Sequence, residues 1–323
     1  MHPLHVALAR SLELSDPLLA MPSVTLPALP YLPRSPRSYS PGIALVGCGG
    51  ITKYHLQAYV AAKFRVVALC DVVRDAAEKR RAEYFPEAAV FTDYRDALSL
   101  ADVEVVDVTT HPEIRCPIIE ECLAAGKHVL SQKPFVLDLD EGERLASIAE
   151  AHGVRLAVNQ NARWAPHFGY IREAVRAGLI GQLASIHCGV HWDHSWVRGT
   201  AFERVYHLIL YDFAIHWFDL IATLMGEQRP TRVFASTVKS PAQDIMPALL
   251  GQAAIEYPST QATLVFDGHT PFAPHDDVYV AGTHGTLRSF GASVNNQTVE
   301  LSREGGAYRP QLVGSWFPDG FRG

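Results

Sequence analysis

Cysteine is scarce in this chain of 323 residues, and the few present do not form pairs. Cys48, Cys70, Cys116, Cys122 and Cys188 are odd in number and scattered, with no CxxC motif. That argues against a disulfide framework or a cysteine zinc site and for a reducing compartment. Basic charge is also short. The formal net charge is −6, so there is no electrostatic footprint for nucleic acid. No apolar run approaches the ~20 residues that span a bilayer. The N-terminus carries Glu13 and Asp16 within its apolar patches and lacks a basic leader, a poor signal peptide. The expected setting is the cytoplasm, with neither membrane nor nucleic acid as a partner.

What remains is an ordinary globular composition, 48% hydrophobic and 19% charged, with room for two domains. Residues 1–39 read as a proline-rich extension, mobile or lying over the surface, because PALPYLPRSPRSYSP cannot continue a helix or a central strand. From residue 40 to 160 short apolar strands alternate with helices: IALV, RVVALCD, VEVVDVTT, HVLSQ and VRLAVN are strands. This pattern predicts an α/β domain, a doubly wound parallel sheet covered by helices. From 161 to 323 the rhythm changes to one long apolar helix over 207–225 and a series of strands with turn signals. That half is expected to be α+β with an open, mostly antiparallel sheet.

VGCGGIT (46–52) lies between the first strand and the first helix. Gly47 permits a tight turn, and Gly49, Gly50 and Ile51 let backbone approach a pyrophosphate at the helix N-terminus. Asp71 ends the second strand, where a carboxylate accepts from both adenosine ribose hydroxyls and repels a 2′-phosphate. The expected cofactor is NAD, with Arg74 leaving NADP open.

In HLILYDFAIHWFDLIATLMG (207–226), Asp212, His216 and Asp219 stand at helical spacing on one face of an otherwise apolar helix. Ionisable groups in such a setting must pair or line a cleft. The HEXXH pattern is absent, so no metal is expected. Lys133, in HVLSQKPF, stands at the C-terminal end of a parallel strand, where open α/β sheets bind ligands. A cis Lys133–Pro134 bond would aim its side chain inward. In HWDHSW (191–196), His191 and Asp193 would share one strand face with His187, and Trp192 and His194 the other; a polar, aromatic rim is the reading rather than a metal site.

GCGGIT, AGKHVLSQKP (125–134), NQNARWAP (159–166) and DFAIHWFD (212–219) occur in order and at family-like spacing. On these motifs the chain resembles the Gfo/Idh/MocA family of NAD(P)-dependent oxidoreductases, from about Ile43 onwards. The resemblance implies a Rossmann domain (40–160) followed by a substrate-binding domain (161–323) whose open sheet serves a homodimer or tetramer. It also implies further helix beyond WFPDGFRG. Its E-K-P lysine matches Lys133, and its D-x-x-x-H pair matches Asp212 and His216. Gln132 stands where the family has glutamate. The T-P-x-x-x-H loop reads THPEIR, with His111 and Arg115 at the proline and histidine positions.

The resemblance and the chemistry agree on hydride transfer between nicotinamide and a carbinol carbon of a sugar, cyclitol or sugar acid. His216 is the expected general base, with a proton affinity near neutral pH. Lys133 would hydrogen-bond the reacting oxygen, and Asp212 would orient His216 or a substrate hydroxyl. Thr110, His111, Gln132, Lys133 and Asn161 join the expected cofactor contacts. Arg163, Trp164 and Trp192 would face a polyhydroxylated substrate. Two other functions fit the same residues: lyase or glycosidase chemistry through transient oxidation by NAD, and a non-catalytic dinucleotide-sensing regulator.

Overall fold

The computed structural model describes residues 28–323. The chain before Ala28, part of the expected extension, lies outside the described residues. Residues 31–33 lie against the C-terminal half, where the Tyr31 hydroxyl accepts from Val313 N at 2.9 Å, Arg322 donates to Pro33 O at 3.1 Å and Pro33 is buried, while Ser40 O accepts from Arg65 of the N-terminal half at 3.1 Å.

The first domain alternates strand and helix: β1 (Gly42–Val46), α1 (Thr52–Ala62), β2 (Arg65–Cys70), α2 (Arg74–Tyr84), β3 (Ala89–Phe91) and α3 (Tyr94–Leu98). β4 (Val103–Val108), α4 (Pro112–Ala124), β5 (His128–Gln132), α5 (Leu139–Ala151) and β6 (Leu156–Asn159) complete it. All strands pair in parallel in the order β3-β2-β1-β4-β5-β6. This is the doubly wound order, whose ligand crevice opens beyond the strand C-termini where the chain connections leaving β1 and β4 turn to opposite sides. Local chemistry sets the boundaries. Asp138 caps α5 by accepting from Asp140 N at 2.9 Å, and Gly126 and Gly153 follow α4 and α5 with positive φ.

The second domain begins with a short 3-10 turn (Asn161–Trp164) and α6 (Pro166–Arg176). β7 (Leu183–His191), a π-helical turn (Ile209–Phe213) and α7 (Ile215–Met225) follow. Then come β8 (Arg232–Val238), β9 (Leu250–Glu256), β10 (Gln261–Asp267), β11 (His275–Gly282), β12 (Gly285–Ser293), β13 (Asn296–Arg303), β14 (Gly306–Tyr308) and α8 (Trp316–Gly320). The eight strands form one sheet ordered β14-β13-β12-β11-β7-β10-β9-β8, antiparallel except for β7 beside β10. Its inner face carries Val190, Leu264, Phe266, Val278 and Val280 against Phe168, Ile171, Trp217 and Ile221 of α6 and α7. Burial alternates along β9, β10 and β11, so the other face is open, with Val265 and Tyr279 exposed.

The long helix expected over 207–225 is broken. Ala214 N bonds Ile209 O, five residues back, at 2.8 Å, and α-helix resumes only at Ile215. The widened turn changes the angular step, so apolar periodicity alone does not reveal it. β7 also ends early: HWDHSW leaves the strand at His191, and Trp192 stacks on His194 at 5.4 Å and 5°.

Three buried titratable groups in this domain oppose one another. Burial pushes His167 down to about 3 and His194 down to about 4, from an ordinary 6.5. The unfolded chain therefore binds more protons than the folded one below pH 6.5, and stability falls as pH drops towards 4. Burial, reinforced by Asp277, pushes Asp276 up to about 8 from 3.8, so that its contribution is lost as pH rises to 8. Each slope is at most about 1.4 kcal/mol per pH unit. Denaturation midpoints measured from pH 5 to 8 should peak near pH 6.5, and Asp276→Asn should flatten the alkaline side and steepen the acid side.

Candidate functional site

The glycine loop is drawn tight against the sheet. Gly47 has φ +100°, a region open to glycine, and a Cβ there would meet Thr109 Oγ1 at 3.0 Å and Thr110 N at 3.1 Å. Thr52 and Thr109 both donate to Gly47 O, at 2.6 and 2.5 Å. Around Gly49 and Gly50, by contrast, a Cβ would meet nothing within 4 Å. No side chain caps the start of α1, where Ile51 is the flanking residue. Open space in front of uncapped helix N–H groups is what a pyrophosphate requires.

Asp71 takes up the loop from the side, accepting from Cys48 N at 2.7 Å and Val73 N at 2.8 Å. Arg74 is turned away to Glu78 at 3.3 Å, and Arg80 donates to Gly49 O at 3.0 Å. The residues therefore fit NAD: a carboxylate stands at the ribose end of the crevice, and Arg74 does not answer a 2′-phosphate.

At the other end of the crevice Lys133 follows β5 through a cis Lys133–Pro134 bond. Its ammonium donates to Asp212 Oδ1 at 2.7 Å and Asp212 O at 3.1 Å, and lies 5.9 Å from the Phe213 ring. Both partners are largely buried. His216 stands one turn on. Burial first, then the Lys133 charge, hold its pKa well below 6.5, and its buried Nδ1 has no hydrogen-bond partner among the described residues. Two expectations change here. Asp212 pairs with Lys133 and makes no hydrogen bond to His216, because the π turn carries it to the lysine side. His216 is a neutral imidazole over the whole neutral range, since the pocket that holds it disfavours the cation.

Asp219 does not join this group. It forms a two-pronged ion pair with Arg163, 2.7 Å for each bond. Arg163 and Trp164 instead line a cleft of about 390 Å³ with Arg34, Arg172, Glu173 and Arg176, and Arg172 lies over the Trp164 ring at 5.0 Å. The ion pair that removes Arg163 from the reaction centre is invisible to a motif that counts spacing along one helix. Asn161 is buried and accepts from Trp316 Nε1 at 2.8 Å, so α8 closes the back of the site beside His216. His111 meets Phe202 edge-on at 6.5 Å, and Thr110 is held through its carbonyl. Trp192 is packed edge-on to Trp217 at 6.2 Å. Among the described residues no group of three His, Cys, Asp or Glu side chains is arranged for a metal ion.

Two sets of residues around Lys133 went unread in the sequence. Arg115 is almost wholly buried without a carboxylate partner; its guanidinium donates to the carbonyls of Thr110, Gln132 and Pro134, and burial pushes its pKa down to about 10. Behind it, fully buried His55 and Asp107 bond at 2.7 Å, Tyr59 donates to the same Asp107 oxygen at 2.7 Å, and Gln132 Nε2 lies 3.2 Å from His55 Nε2. An aspartate inside the apolar run VEVVDV was the available signal, because a buried carboxylate must have partners.

Comparison with known proteins bears on this geometry. Residues 42–160 match the family model described as an oxidoreductase family with an NAD-binding Rossmann fold, and residues 168–288 match the GFO/IDH/MocA C-terminal domain. The chain belongs to the Gfo/Idh/MocA family. Among curated members, a D-apiose dehydrogenase of Paraburkholderia graminis is 29% identical over 265 residues, 76% of this chain and 66% of that protein. An inositol 2-dehydrogenase of Salmonella typhimurium is 28% identical, over 58% of this chain and 55% of its own length. The chain thus spans between half and two thirds of these family members. A scyllo-inositol dehydrogenase from Lactobacillus casei superposes with a TM-score of 0.70 at 25% identity, covering 87% of this chain and 83% of its own. An oxidoreductase from Agrobacterium radiobacter, solved with NAD+, L-tartaric acid and magnesium, shares the fold at a TM-score of 0.77 and 17% identity, over 88% and 86% of the two chains.

Arg115→Ala removes the donor of the Thr110 and Pro134 carbonyls, while Gln132 O keeps Ser131 Oγ at 3.1 Å, and each lost partner costs about 1–3 kcal/mol. The variant should melt several degrees lower, and Arg115→Lys, which cannot fork, should recover only part of the loss in a thermal scan.

Proposed function

We propose that the protein is an NAD-dependent dehydrogenase acting on a CH–OH group of a polyhydroxylated substrate, of the sugar, cyclitol or sugar-acid class. The observation that carries this reading is the Lys133–Asp212 ion pair beside neutral His216, set at the end of β5 where the crevice closes.

Gly49, Gly50 and Ile51 would hold the pyrophosphate, Asp71 the adenosine ribose, and Thr110, His111, Lys133 and Asn161 the nicotinamide end, while Gln132, buried with both ends of its amide engaged, stands behind Lys133. The bound dinucleotide supplies the hydride-carrying ring. Lys133 donates a hydrogen bond to the substrate oxygen and stabilises alkoxide charge as the C–H bond breaks. His216 begins deprotonated, the form a general base needs, and accepts the hydroxyl proton. Asp212 pairs with the lysine and fixes the direction of its side chain. The dehydrogenase names of the curated family members support the substrate class. The exposed Val233, Phe234, Val265 and Tyr279 on the second sheet suit contact with another copy of the chain, and light scattering of the purified protein would test that homo-oligomer.

A panel of polyols, cyclitols and uronates assayed for NAD reduction is the direct test; no turnover with any class would remove the proposal. Lys133→Ala and His216→Ala should each lower kcat by about 10²-fold or more with the NAD dissociation constant little changed. Because His216 loses its proton well below pH 6.5, wild-type kcat/KM should stay level from pH 7.5 to 6 and fall only on further acidification. Titration calorimetry should find NAD tighter than NADP by at least about tenfold, the worth of a single charge repulsion near 1.4 kcal/mol.

A further inference from the structure

Gln132 reaches in two directions. Its Oε1 accepts the backbone N–H of Lys133 at 2.7 Å, and its Nε2 stands 3.2 Å from His55 Nε2. A backbone N–H only donates, which fixes the orientation of the amide: the NH₂ group faces the imidazole. Asn159 Nδ2 approaches the same ring nitrogen at 3.3 Å. With amide donors on that side, His55 Nε2 is the acceptor, and the ring proton lies on Nδ1, donated to Asp107 Oδ2 at 2.7 Å. Tyr59 completes the set at 2.7 Å, and His55, Asp107, Tyr59, Gln132 and Asn159 are all buried.

We infer that His55 and Gln132 are positioning residues for Lys133, forming one directional hydrogen-bond chain from Asp107 through a neutral His55 and an uncharged amide to the lysine peptide. Arg115 holds the Gln132 carbonyl of that same peptide group and the Pro134 carbonyl beyond it, and the chain from His55 holds the N–H. Gln132 in place of the carboxylate found in the family pattern is then a matched choice. A glutamate could still accept from Lys133 N, but its second oxygen would face an unprotonated ring nitrogen; the site would have to take up a proton, on His55 or on the carboxyl. Asp212 is thereby left as the carboxylate that pairs with Lys133. The inference rests on the dehydrogenase reading for the task it gives Lys133, but not for the state of His55.

The test is ¹⁵N-edited NMR of the imidazole groups in cofactor-free protein, with the His55 signals assigned by His55→Gln. The wild type should show a neutral ring protonated at Nδ1 between pH 6 and 8. Gln132→Glu should turn His55 into the doubly protonated form at neutral pH, lower kcat by about tenfold and alter the pH–rate profile. A wild-type ring protonated at Nε2, or already cationic at pH 7, overturns the inference even where the variant does not fold. So does a folded Gln132→Glu protein with unchanged His55 signals or an unchanged pH–rate profile. If instead Lys133→Ala retains full turnover while His55 behaves as described, the dehydrogenase role of Lys133 fails and the hydrogen-bond chain stands.

Discussion

Holding an ammonium group away from bulk water, between two domains, at the one edge of a parallel sheet where strands leave room for a ligand, is the demand that organises this protein. Lys133 belongs to the first domain and Asp212 to the second, and their contact at 2.7 Å joins them. An uncompensated charge at that depth would cost several kcal/mol. The second domain is therefore part of the lysine's solvation as well as the wall of the cleft. The π turn at Ile209–Phe213 serves the same demand, since it turns a carboxylate and a carbonyl of one residue towards the ammonium. Irregular helical turns of this kind recur at functional sites because they expose backbone acceptors that a regular helix would keep.

Around that contact the backbone is held by polar groups that are themselves buried. Arg115 carries no carboxylate and serves three carbonyls, a role suited to a planar fork with five donors. His55 and Tyr59 both bond Asp107 Oδ2 beneath the sheet edge, while the buried Oδ1 of Asp107 has no hydrogen-bond partner among the described residues. Such networks are costly when incomplete and rigid when complete. The site thus combines a polar floor under Lys133 with an aromatic side, where Trp196 meets Phe202 and Phe213 edge to face.

The parallel domain was legible almost element by element, because buried parallel strands read as short apolar runs and the helices between them end at Gly126 and Gly153. The place of single residues was legible: Gly47, Asp71, Lys133 and His216 stand in or beside the crevice. It was not legible where the partner comes from elsewhere in the chain. Asp219 shares a helix face with Asp212 and His216 in the sequence and is the counterion of Arg163. Asp212 looked like a partner for His216 and is bound to Lys133. Spacing along a helix says which residues could share a face, but the π turn and the competing cations decide which of them do.

What the sequence by itself determined is the order of strands and helices, the phosphate loop, and which residues carry ionisable groups in apolar surroundings. These follow from local preferences: hydrophobic period, glycine's access to positive φ, and the cost of leaving a charge alone. Only the tertiary structure decided the pairing, that is Lys133 with Asp212, Arg163 with Asp219, Arg115 with three carbonyls, and Gln132 with His55. Those partners lie far apart in the chain. Which of several possible counterions a buried charge finds depends on where packing places it, and no local preference encodes that distance.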